Sequence, residues 1–187
     1  VGDDVFSFAS RMKEHQKDVP IVLLTAFSKE IYRRIEEERG NSDIDYTFCW
    51  NGSTDLIIAI IKLLEDRLNA PEDILQVGVQ CILLVEDSVR YYSTYLPLLY
   101  KLVLQQNQAA VRDALNEDQQ IFRKRARPKI LMATNYDDAV ALYNQYKENL
   151  LGVISDIGFV LHRHDKPALE KLDAGVDLCK MIRRELP

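Results

Sequence analysis

The sequence predicts an α/β protein built on a parallel sheet. Two observations carry this expectation. Several short apolar runs are continuous rather than alternating, the signature of strands buried on both faces. Those runs are separated by segments of helical periodicity, so strand and helix alternate along the chain.

The first helix is expected from Val5 to His15, where Val5, Phe8, Ala9 and Met12 recur at helical spacing. Pro20-Ile21-Val22-Leu23-Leu24-Thr25 reads as a buried strand with a β-branched bias. Ser28 caps a helix from about Lys29 to Arg39, and Gly40 stops it. Asp45 to Trp50 is a short strand, followed by a turn at Asn51-Gly52-Ser53. Thr54 to Leu68 is the strongest helix, with Leu56, Ile57, Ile60, Leu63 and Leu64 on one face. Asn69 to Gln80, with Pro71, Gly78 and two adjacent acids, reads as a linker.

Beyond it, Cys81 to Val85 is a buried strand, and a long helix runs from about Val89 to Gln105. Asn107 to Arg127 is polar, a helical extension and loop closed by Pro128. Lys129 to Ala133 is a strand, Asp137 to Asn149 a helix, and Leu151 to Ser155 another buried strand. A loop from Ile157 to Lys171 holds His162, His164 and Pro167, and Gly175 to Glu185 is the last helix. The total is five strands and five or six helices, with right-handed crossovers expected. The chain opens on Val1 and closes on Pro187, and both ends read as cuts through a fold still in progress.

The 187 residues suit one domain, or one domain and part of another. A net charge of -5 argues against a strongly basic nucleic-acid binder, and 47% hydrophobic residues argue against disorder. The longest apolar runs are far too short to span a bilayer, and no secretion signal opens the chain. Cys49, Cys81 and Cys179 are sparse, odd in number and set in apolar segments. Buried thiols in a reducing, cytoplasmic setting are expected.

Ligands of a parallel sheet gather at the carboxyl ends of its strands. Three acids stand there: Glu86 and Asp87 after one strand, and Asp156 after another. Converging carboxylate oxygens suit a hard cation such as Mg²⁺, and Asp156 would then be a nucleophile toward a phosphoryl donor. The plainer alternative is that the three acids cap helices or line solvated loops.

These residues resemble a known family. Ile82-Leu83-Leu84-Val85-Glu86-Asp87-Ser88 is similar to the opening of a bacterial response-regulator receiver domain, and Val153-Ile154-Ser155-Asp156 to its phospho-acceptor strand. Gly175 to Arg184 resembles its third helix, and Val19 to Ala26 its fourth strand, which ends in a hydroxyl residue. Asp45-Tyr46 and the helix from Thr54 to Leu68 resemble its fifth strand and last helix. The order is unusual: residues 1–69 look like the back half of one receiver, 70–80 a linker, and 81–187 the front half of a second, with an insertion at about 106–127. The resemblance implies a piece cut from a tandem-receiver protein. It also resembles, more loosely, the region preceding a pyruvate phosphate dikinase or phosphoenolpyruvate synthase-like module.

The resemblance implies a flavodoxin-like fold, with a five-stranded sheet in order 2-1-3-4-5 assembled from the two halves. The junction would set Leu151–Ser155 beside Ile21–Thr25, either within one chain as a circular permutation or between chains as a domain swap. The linker reaches about 40 Å when extended, which favours closure within one chain. The duplicated helices, Val5 to Lys17 and Gly175 to Pro187, would compete for one groove, and the displaced one becomes a dimer contact.

The function implied is phosphorelay signalling, not enzymic turnover. Asp156 accepts the phosphoryl group. Glu86, Asp87, Asp156 and the backbone carbonyl of Gly158 hold Mg²⁺, and Thr25 is the switch hydroxyl if the halves join. Expected partners are a sensor histidine kinase or other phosphoryl donor, the output module of the parent protein and a second copy, with neither nucleic acid nor membrane. One departure matters. Thr47-Phe48-Cys49-Trp50-Asn51 carries no Lys where the family keeps one. The alternative is therefore a degenerate pseudo-receiver that docks or dimerises without phosphate.

Rival signals have bland readings. His162-Arg163-His164-Asp165 has no further ligand at a fitting spacing, so a solvated loop is expected rather than a metal site. Arg123-Lys124-Arg125-Ala126-Arg127 reads as a solvated helix end. Tyr91, Tyr92, Tyr95 and Tyr100 read as core and partner-helix packing. A haloacid-dehalogenase-type phosphatase would need a second Asp two residues past Asp156, where Gly158 stands.

Overall fold

The computed structural model describes residues 4–26, 43–50, 52–113, 116–118, 126–163 and 165–185. The expected helix at Lys29 to Arg39, with Ser28 and Gly40, falls outside them. Five strands are present: β1 (Val22–Ala26), β2 (Tyr46–Trp50), β3 (Cys81–Val85), β4 (Lys129–Ala133) and β5 (Leu150–Ser155). The helices are α1 (Val5–His15), α2 (Thr54–Leu75), α3 (Val89–Arg112), α4 (Tyr136–Tyr146) and α5 (Ala174–Glu185), with short 3₁₀ turns at Lys147–Asn149 and Pro167–Leu169. All strand pairs are parallel, as the continuous apolar runs require. No helix among the described residues is long and apolar enough to cross a membrane.

The strands form two sheets, not one. β1 pairs with β2, while the other sheet runs β4-β3-β5. The expectation of β5 beside β1 within one chain is therefore corrected. β3 sits in the middle of its sheet because it is apolar on both faces. Leu83 and Val85 meet α4 and α5 through Ala139, Tyr143, Leu178 and Ile182. Leu84 meets α2 and α3 on the other face.

The linker reading is also corrected. α2 continues through Pro71 to Leu75, so residues 70–75 are helix. Its core face carries Leu56, Ala59, Ile60, Leu63, Asp66, Ala70, Asp73 and Ile74. Ile57, placed on that face from sequence, is 36% exposed. The helix starts cleanly because Ser53 accepts from the Asp55 amide at 3.2 Å, and Gly52 turns the chain at φ 83°.

The two halves of the sequence do not pack as separate domains. One core cluster joins Tyr46 and Phe48 of β2, Leu56 and Leu63 of α2, Leu84 of β3, Tyr92 and Leu96 of α3, and Ile130 of β4. Tyr92 and Tyr100 are buried, whereas Tyr91 and Tyr95 stack on the surface with centroids 6.1 Å apart. α1 buries only Ala9 and leaves Phe8 and Met12 exposed. α5, by contrast, buries Leu178 and Ile182. Of the cysteines, Cys81 is buried, Cys49 half-buried and Cys179 exposed, which corrects the expectation of three buried thiols.

Candidate functional site

Glu86 and Asp87 follow β3, and Asp156 follows β5. Val85 and Ser155 are register partners, so the three acids leave neighbouring strands at the same sheet edge. The ladders run one residue further: the Glu86 amide donates to the Ala133 carbonyl at 3.1 Å, and the Asp156 amide to the Val85 carbonyl at 2.9 Å. This placement follows from the apolar runs, which end together where polar residues begin.

The three side chains differ in setting. Glu86 is 3% exposed and accepts from the Ser88 amide at 3.0 Å. Asp87 is half-buried and accepts from the Val160 amide at 3.3 Å. Asp156 is exposed and accepts from the Ile157 amide at 2.7 Å. Burial pushes the Glu86 carboxyl up to about 7, and the charges of Asp156, Asp87 and Glu170 push the same way against the Ser88 hydrogen bond.

Two glycines shape the surroundings. A Cβ on Gly175 would overlap the Asp156 carbonyl oxygen, so α5 can begin against the site only with no side chain there. Its amide donates to the Ile157 carbonyl at 2.9 Å. Gly158 is buried, and a Cβ on it would run into Glu170 Oε1. Lys171 closes the same loop by a bridge to Phe159 and by an ion pair to Asp177, whose carboxyl it holds below its usual range.

Thr25 is not part of this cluster within the chain. It belongs to the other sheet, and its hydroxyl donates to the Ala26 carbonyl at 3.2 Å. Among the described residues no group of three His, Cys, Asp or Glu side chains is placed to hold a metal ion. Asp87 and Asp156 each direct one carboxylate oxygen to a backbone amide. His162 pairs with Asp137 at 2.7 Å on the surface, in keeping with a solvated loop. His164 lies outside the described residues.

Sequence reasoning missed Glu170, which joins the cluster from a loop with no periodicity to read. It also missed a buried ionic network. Asp66 accepts from Arg127, from the Tyr100 hydroxyl at 3.0 Å and from the Ile130 amide at 2.9 Å. Lys129 pairs with Asp73 at 2.7 Å beside it. Arg127 is thus buried, not the solvated helix end expected; the signal was two acids at core positions of α2.

No protein family, curated protein or solved structure matches the chain.

Proposed function

We propose that the chain is a signalling module of receiver type, in which Asp156 accepts a phosphoryl group at the acidic sheet edge. The observation that carries this reading is that Glu86, Asp87 and Asp156 leave the paired strands β3 and β5 at the same sheet edge, where burial, with the neighbouring acids, pushes Glu86 up to about 7. Negative charge gathered at the carboxyl ends of two adjacent parallel strands calls for a cation. Oxygen donors of this kind suit Mg²⁺, which usually keeps several waters and takes one or two carboxylates. In chemistry the fit is good. In geometry the acids as they stand are not a closed ligand set, so Glu86, Asp87, Asp156 and the Gly158 carbonyl are proposed as donors without stated distances. When bound, the ion would offset the repulsion between a carboxylate and an incoming phosphoryl group.

This chain's own residues supply the rest. Asp156 is exposed and reachable by a donor, while Asp87 is tied to Val160 and Glu86 is buried. The flavodoxin-like strand order 2-1-3-4-5 belongs to the same proposal. The β4-β3-β5 and β1-β2 sheets are its two pieces. A phosphoryl donor such as a histidine kinase, an attached output module and a cytoplasmic setting belong to it as well.

A second reading is a pseudo-receiver that docks without phosphate. It is favoured by the absence of Lys from Thr47-Phe48-Cys49-Trp50-Asn51, which removes a charge-assisted partner for the phosphoryl group. Intact-mass measurement after incubation with acetyl phosphate and Mg²⁺ separates the two. One added phosphoryl group, lost in Asp156→Asn, supports the acceptor. An unchanged mass in acetyl phosphate, together with no response to beryllofluoride, leaves the docking module.

A further inference from the structure

The loop after β5 doubles back on itself beside Asp156. Phe159 and Lys171 exchange backbone hydrogen bonds, amide to carbonyl, at 3.3 Å one way and 3.1 Å the other. Four residues on, Gly175 lies so close to the Asp156 carbonyl that a Cβ would overlap it. The segment from Lys171 to Gly175 thus runs along the segment from Asp156 to Phe159, and it carries a cation. The Lys171 ammonium pairs with Asp177, in the first turn of α5, and has Asp173 at 3.7 Å. Its neighbour faces the other way, as neighbours in an extended segment do. The Glu170 carboxylate lies over Gly158, and its charge acts on Glu86. At rest the segment turns its acid to the acidic edge and its lysine to α5.

We propose that Lys171 is the charge partner of a phosphoryl group on Asp156, leaving Asp177 for that group when it arrives. The proposal rests on the reading of Asp156 as the acceptor. Transfer replaces the single charge of Asp156 by about two, at an edge that already holds Glu86, Asp87 and Glu170. One divalent cation leaves a negative excess there, which calls for a cation from the protein. Asp177 is a weak competitor. Both members of its pair with Lys171 are more than one-third exposed, and exposed ion pairs hold little free energy. Asp177 is not stranded by the exchange either, because Lys180 stands 3.4 Å from its other oxygen. The Lys171 backbone can stay tied to Phe159 while its flexible four-carbon stem swings. The added charge also repels Glu170, so both members of the segment are driven in the same sense.

Beryllofluoride with Mg²⁺ is the probe, and ¹⁹F NMR of the full chain reads the bound form. Lys171→Met should weaken binding about tenfold, the loss of one charge-assisted hydrogen bond. Lys171→Arg should recover most of that loss. Asp177→Asn frees Lys171 and should bind at least as tightly as the parent. The opposite directions are the point of the test, since both variants break one ion pair. If that pair only held the loop in shape, either variant would break it, so equal weakening in the two overturns the proposal. Parent affinity in Lys171→Met overturns it as well, and leaves Asp156 standing as the acceptor. A parent chain that takes no beryllofluoride removes the acceptor and its charge partner together.

Discussion

Glu86 holds a proton longer than an ordinary carboxyl, and this fixes the sign of its effect on stability. Its value rises from 4.5 to about 7 on folding. Between those values the folded chain keeps a proton that the unfolded chain has lost, so stability falls as pH rises through the window. The loss totals roughly 3 kcal/mol. Glu86→Gln should therefore be more stable than the parent above pH 7 by up to about that amount. The two should converge below the unfolded value. Urea titrations at both ends of the window check this, and a constant gap between the curves contradicts it. If Glu86 is a donor to Mg²⁺ as proposed, added Mg²⁺ should narrow the gap on the alkaline side only, where Glu86 is ionised.

Asp66 makes the opposite case, a charge whose partners surround it. It is fully buried, and Arg127, Tyr100 and Ile130 all donate to it. Burial of Tyr100 itself, then the Asp66 charge and the hydrogen bond to it, keep that phenol far above the usual range. Asp66→Ala strands the Arg127 guanidinium and should cost about 3–5 kcal/mol. The double variant Asp66→Leu with Arg127→Met should recover much of that loss, since neither charge is then left alone. Chemical denaturation of this double variant beside its two single variants, Asp66→Leu and Arg127→Met, measures the coupling directly. Of the candidate site, Glu86, Asp87 and Asp156 were legible because they follow apolar strands. Glu170 was not, since contact across a loop leaves no period.

At the scale of elements, strands were read well and helix ends poorly. β3 and β4 match their apolar runs because burial on both faces imposes apolar residues at every position. α2 was cut short at Leu68 because Pro71, Glu72 and Asp73 resemble linker chemistry. Yet Ala70 and Ile74 continue its core face and pack on Cys81, Leu131 and Tyr146. The acids Asp66 and Asp73 occupy core positions and are balanced by Arg127 and Lys129. A hydrophobic pattern alone discards such residues. α5 offers a prediction of its own. Gly175→Ala places a methyl against the Asp156 carbonyl, backbone that cannot turn aside. The helix must shift, at about 1–3 kcal/mol as for other overpacked positions. Its start would leave the acidic edge, so amide exchange should quicken in residues 156–159 as well as in α5.

For the whole molecule, the division of the sequence into two halves and the division of the structure into cores do not coincide. Residues 1–69 supply Tyr46, Phe48, Leu56, Ala59, Ile60 and Leu63 to the same cluster that receives Leu84, Leu96, Tyr100, Ile130 and Met132 from residues 81–187. The Asp66–Arg127 pair crosses the same boundary while buried on both sides. A cut between the halves would uncover one face of β3 and β4 and leave Arg127 and Lys129 without Asp66 and Asp73. Each large apolar side chain returned to water costs about 1.5–3 kcal/mol, and domains of this size hold only about 5–15 kcal/mol in reserve. The described chain should therefore unfold in a single transition by near- and far-ultraviolet dichroism alike. A fragment of residues 81–187 should lack fixed near-ultraviolet signal, and adding a fragment of residues 1–80 should restore it. A fragment 81–187 that folds alone, with protected amides in β3 and β4, would mean that the two halves are independent domains after all.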